Sequence, residues 1–90
     1  MFEIKIMLDD LQKVNTFVAV AMSKDYDIDL ISGKYLVNAK SIMGIFSLDL
    51  TKPITVRTEI FDEEFFKQIE IIKHLTFLKI LFRSYYVERF

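Results

Sequence analysis

Residues 38–50, NAKSIMGIFSLDL, decide the fold. Read as a strand, period two puts Ile42 and Gly44 on one face and Met43 and Ile45 on the other, which sorts nothing. Read as a helix, the same residues sort at once. Ile45 and Leu48 lie three apart on one face, and Ile42, Met43 and Phe46 form a second apolar face beside it. Ser41 stands where such a helix begins, with a hydroxyl able to cap it. A short helix on a sheet buries only one face. The spacing therefore predicts that Ile45 and Leu48 hold the fold while Ile42, Met43 and Phe46 make an outward patch for docking another protein.

Working outward, the flanking segments alternate. Tyr26, Ile28 and Leu30 are apolar against Asp27 and Asp29, and Ser32-Gly33-Lys34 is a tight-turn signal. Tyr35–Ala39 reads as the returning strand of that hairpin. Downstream, Ile54, Val56, Thr58 and Ile60 alternate with Thr55, Arg57 and Glu59. Upstream, Phe2, Ile4, Ile6 and Leu8 share a face opposite Glu3 and Lys5. Two helices complete the pattern. One spans about 11–23, capped by Asp9-Asp10, with Leu11, Val14, Phe17, Val18, Ala21 and Met22 inward and Gln12, Lys13, Asn15 and Thr16 outward. The other starts at Asp62-Glu63-Glu64 and buries Phe65, Phe66, Ile69 and Ile72, its acidic first turn suiting the helix dipole. Strands with one apolar face each imply an α+β fold: a four-stranded antiparallel sheet covered on one side by helices, in the order β-α-β-β-α-β-α.

Composition agrees and excludes several functions. Apolar residues are 52%, with nine Phe and four Tyr but only two Gly and one Pro, so one domain of regular elements is expected from 90 residues. With no Cys there is neither a disulfide nor a Cys-based metal site. A net charge of −1 argues against direct nucleic-acid binding. No signal-peptide pattern is visible at the N-terminus, which together with the missing Cys suggests the cytoplasm. Asp27 and Asp29 form an ordinary solvated strand face rather than a cation site. No nucleophile–base pair stands out, so neither an enzyme nor a cofactor is expected.

The periodicity stops near Leu75. Residues 76–90 are apolar on every side if helical, yet too short and too charged, with Lys79 and Arg83, for stable membrane insertion. They read as a helical extension packed on the domain or a partner. A membrane-touching tail and a tail foreign to the domain, as from a shifted reading frame, stay open.

The run Gly33-Lys34, then Val37-Asn38-Ala39-Lys40-Ser41-Ile42-Met43-Gly44, then Ser47-Leu48 resembles HPr, the histidine-containing phosphocarrier family of the bacterial sugar phosphotransferase system. Phe46 stands where the family has Met, and one extra residue lies between Lys34 and Val37. Met22-Ser23-Lys24 is similar to the family's Ala-Ser-Lys. The resemblance covers about residues 2–75 and implies the HPr-like open-faced sandwich. It also implies a phosphoryl-carrying His in a Gly-x-His-Ala-Arg-Pro run at the start of the first helix. Here that run falls on Asp9-Asp10-Leu11-Gln12-Lys13-Val14, so the carrier site is degenerate: Leu11 takes the His slot and Lys13 the Arg slot. The single His, His74, is far along the last helix and reads as an ordinary helix residue. The resemblance further implies a regulatory phosphorylation site at Ser41, with protein partners of the HPr kinase or transcriptional-regulator type docking on Ile42, Met43 and Phe46. A non-phosphocarrier regulatory module is the expectation. The alternative is a structural homodimer built on the apolar patch and tail.

Overall fold

The computed structural model describes residues 1–74. Seven elements follow in the expected order: β1 (Phe2–Ile6), α1 (Leu11–Met22), β2 (Asp29–Ser32), β3 (Tyr35–Asn38), α2 (Ile42–Phe46), β4 (Ile54–Thr58) and α3 (Glu63–Lys73). The segment read as an extension or tail, 76–90, lies outside the described residues.

The sheet has the strand order β1-β4-β2-β3, and every neighbouring pair is antiparallel. Register explains its two faces. Ile4 lies opposite Val56, Val56 opposite Leu30, and Leu30 opposite Val37, giving an apolar row across all four strands. The next row, Glu3-Arg57-Asp29-Asn38, points the other way and is polar. The three helices cover the apolar face alone. Phe17, Val18 and Ala21 of α1, Ile45 of α2, and Phe65, Ile69 and Ile72 of α3 join Ile6, Leu30, Ile54 and Val56 in one core. This is the open-faced sandwich of the α+β class.

The hairpin β2–β3 closes through Gly33-Lys34, and Gly33 has φ 58°, a left-handed conformation in which a β-carbon is strained. All three helices are side-chain capped. Asp10 accepts from the Lys13 amide at 2.7 Å, Ser41 from Gly44 at 3.1 Å and Asp62 from Phe65 at 3.2 Å.

Several positions differ from the simple alternation. β2 begins at Asp29, because Tyr26 is drawn off toward α3. Its ring meets Phe65 edge-on, and its hydroxyl donates to Asp62 at 2.8 Å. Ile60 is exposed, because the Ile60 amide donates to the Thr58 hydroxyl and turns the chain out of the strand. In α1 the outer rows are exchanged: Leu11 and Met22 are exposed, whereas Lys13 is buried.

Asp62 joins α3 to α1. Besides the Tyr26 and Phe65 bonds it lies 3.4 Å from Lys24 Nζ, which also reaches Glu64 at 3.2 Å. The Tyr26 hydroxyl first, then the Phe65 amide and the Lys24 charge, hold the Asp62 carboxyl below the usual carboxylate range. Burial, and then the bond to Asp62, push the Tyr26 phenol above its usual range, so it stays protonated. A carboxyl with a depressed folded pKa binds fewer protons folded than unfolded, so stability is lost as pH falls through it. The urea midpoint is accordingly expected to drop as pH falls below about 4. In Asp62→Asn, which keeps the cap but not the titration, that drop is expected to be shallower. Parallel pH curves for the two proteins would contradict the assignment.

Candidate functional site

Two places in the fold correspond to the positions singled out in the sequence. The first is the N-terminus of α1. Leu11 is its first residue and is 62% exposed, a hydrocarbon side chain with no atom able to attack phosphorus. Helix N-termini attract anions through free amides and the dipole, but here the anion is already part of the chain. The Asp10 carboxylate caps the Lys13 amide. Lys13, expected on the solvated side, has a side chain only 8% exposed, and its ammonium is paired with Asp9 at 2.9 Å. Its long apolar stem is covered while the charge stays satisfied at the rim. The same bond, from Lys13 to Asp9, is the main reason the Asp9 carboxyl is held below its ordinary range. A phosphoryl group arriving here meets the Asp10 carboxylate and an Asp9–Lys13 pair with no net charge to offer it.

The second place is the β3–α2 corner, and most of its recognisable residues have a structural task. Asn38 Oδ1 accepts from the Lys40 amide at 2.8 Å, and the Asn38 carbonyl accepts from the Ser41 amide at 3.0 Å. These bonds fold the turn that starts α2. Lys40 Nζ donates to the Lys24 carbonyl at 2.8 Å and ties the turn to the end of α1. Gly44 lets α2 lie close on β3: a β-carbon there would be 3.2 Å from Ser41 Oγ and 3.3 Å from Val37 Cβ. Ser41 is exposed and accepts the Gly44 amide bond.

The helix α2 sorts as its spacing predicts. Ile45 and Leu48 are buried, while Ile42, Met43 and Phe46 are 38%, 78% and 46% exposed. The patch and Ser41 therefore share one short, well-braced element. His74 caps the C-terminus of α3 and is exposed. Asp29 approaches Arg57 at 4.0 Å, and the described residues hold no group of three or more His, Cys, Asp or Glu able to bind a metal. No helix among them is long and apolar enough to cross a membrane. The sequence reading passed over an aromatic cluster: Phe61 lies 5.2 Å from Phe2 and 5.6 Å from Phe66, ring centre to ring centre. Only the even spacing of Phe2 with Ile4 and Ile6 hinted at it.

No protein-family model matches the chain, and no curated protein matches it in sequence. Solved structures do. HPr-C-His from Thermoanaerobacter tengcongensis is similar over 82% of this chain and 93% of its own, with a TM-score of 0.69 and 28% identity. The phosphocarrier protein HPr from Bacillus anthracis str. Ames is similar over 80% of this chain and 92% of its own, with a TM-score of 0.57 and 30% identity. Joined to the strand order, the helix-covered face and the Lys40-Ser41-Ile42-Met43-Gly44 corner, this likeness places the chain in the HPr family.

Proposed function

We propose that this protein is a non-enzymatic HPr-family module that has given up phosphoryl transfer and acts by binding other proteins. One observation carries the reading. The phosphoryl-accepting position is Leu11, flanked by the Asp10 cap and the Asp9–Lys13 pair, while the Ser41 corner and its exposed patch are intact. The partners are proteins of the HPr kinase or regulator type, which dock on Ile42, Met43 and Phe46. Ser41 is the switch. A phosphate on its hydroxyl would sit beside the Gly44 amide at the start of α2, where the dipole favours negative charge, and would set about two negative charges next to the apolar patch. A partner preferring the modified form would need a basic group facing Ser41. A partner using the bare apolar patch would be repelled.

The test uses an HPr kinase with ATP. The expected result is a single modification that disappears in Ser41→Ala. Met43→Asp is expected to lower the kinase's kcat/KM by about 10- to 100-fold, as loss of an interface anchor does. Because Met43 is exposed, its thermal unfolding should be unchanged. An unmodified wild-type chain, or a Met43→Asp chain modified at full rate, would remove the regulatory reading.

A further inference from the structure

Lys40 stands immediately before Ser41, where a lysine is readily taken for the counter-ion of a phosphate on its neighbour. Its geometry gives it other work. The Lys40 ammonium donates to the Lys24 carbonyl at 2.8 Å, in a part-buried bond that joins the turn before α2 to the first residue past the Ser23 cap of α1. Its amide donates to Asn38 Oδ1 at 2.8 Å, so Lys40 is held at both ends. The anchor is itself fixed, because the Lys24 ammonium is drawn to Asp62 and Glu64 at the start of α3. Ser41 inherits this restraint. Its backbone is extended, with φ −103° and ψ 105°, and its Oγ accepts the Gly44 amide at 3.1 Å. The ends of the two neighbouring side chains are therefore engaged with different elements, Lys40 with α1 and Ser41 with α2.

We infer, given the regulatory role of Ser41 proposed above, that Lys40 is a positioning residue for phosphoryl transfer to Ser41, acting through the Lys24 carbonyl and not as a counter-ion. In that reaction the Ser41 Oγ forms a bond to the γ-phosphorus of ATP, and the bond from that phosphorus to the β–γ bridging oxygen breaks. ADP leaves with the electron pair, and the hydroxyl proton passes to a base of the kinase. The chain's part is to hold the attacking oxygen in line with the leaving group, and a displacement of about 1 Å can cost about 100-fold in rate. Ile42, Met43 and Phe46 set where α2 rests on a kinase. Ser41 precedes that helix and takes its direction from the turn. The turn is fixed by the Asn38 side chain on one side and by the Lys40 tether on the other.

The test measures the kinetics of an HPr kinase with ATP on the full chain as substrate. Lys40→Met keeps the apolar stem and removes the tether. Its kcat is expected to fall by about 10-fold or more while KM stays within about twofold, since the docking patch is intact. The loss should be the same at low and high salt, because a part-buried bond to a carbonyl is little screened. Lys40→Arg, which still donates to the Lys24 carbonyl, is expected to recover most of the lost rate. In the phosphorylated wild-type chain, the Lys40 ammonium should keep its scalar coupling to the Lys24 carbonyl carbon by NMR. This last readout holds whatever Lys40→Met does to folding. Equal kcat for Lys40→Met and wild type would overturn the inference and leave the regulatory role of Ser41 standing. So would a loss that shrinks with salt, or an ammonium that leaves the Lys24 carbonyl for the phosphate. A wild-type chain that takes up no phosphate at Ser41 would overturn both.

Discussion

Phe65→Ala is expected to remove about 3–5 kcal/mol of folding free energy, the usual range for a large core aromatic. The whole domain has about 4–13 kcal/mol to lose, at the stability per residue typical of small proteins. Phe65 is fully buried, packs edge-on against Tyr26 and adjoins Phe66, and lies two residues past the Glu63 start of α3. Its removal opens a cavity where α3 meets the loop before β2, and that loop cannot collapse freely because Tyr26 is held to Asp62. At about 4–8 °C for each kcal/mol in a domain of this size, the melting temperature should fall by roughly 12–40 °C. Met43→Ala is the control. Met43 is the most exposed residue of the α2 patch, so its removal should change stability by less than about 0.5 kcal/mol. Equal losses in the two variants would show that α2 is packed on both faces and that no free patch exists.

The contrast between Phe65 and Met43 shows what periodicity can and cannot reveal. Ile45, Leu48, Ile69 and Ile72 were legible because each lies on a stripe whose period is that of its own helix. The four strands were legible for the same reason at period two. What escaped were positions settled by residues far along the chain. Tyr26 leaves its strand for Asp62, 36 residues on, and Lys24 reaches Glu64, 40 residues on. Phe61 gains its neighbours from Phe2 across the sheet edge. Lys13 escaped differently. It is polar by type but buried by position, and only the carboxylate of Asp9 one turn earlier makes that tolerable. The candidate site was legible as letters, Leu11 in one place and Ser41 in the other. The capping of the α1 N-terminus by Asp10 and the neutralising of Lys13 are geometric facts.

Those facts lead to the other large effect. With enzyme I and phosphoenolpyruvate the protein is expected to take up no acid-labile phosphate, because Leu11 offers no nucleophile and His74 caps the far end of a different helix. The sharper expectation concerns repair. Leu11→His supplies an imidazole at the helix start, yet it should remain a poor acceptor. A phosphoryl dianion about 5 Å from a carboxylate is repelled by about 2 kcal/mol even at the dielectric of water. Asp9 and Lys13 form a pair of no net charge, so the uncompensated carboxylate of Asp10 opposes transfer, by about one order of magnitude before salt screening. Lys13 offsets Asp9, which holds its ammonium at 2.9 Å, and has no charge left over to attract a phosphoryl group. Leu11→His/Asp9→Gly/Asp10→Ser removes both carboxylates, frees Lys13 and keeps a hydroxyl to cap the Lys13 amide. Its labelling should be about 10- to 100-fold faster than that of Leu11→His, and high salt should narrow the gap. If Leu11→His alone is labelled as fast as the triple variant, the two aspartates are bystanders, and the missing imidazole at position 11 is sufficient to account for the absence of labelling.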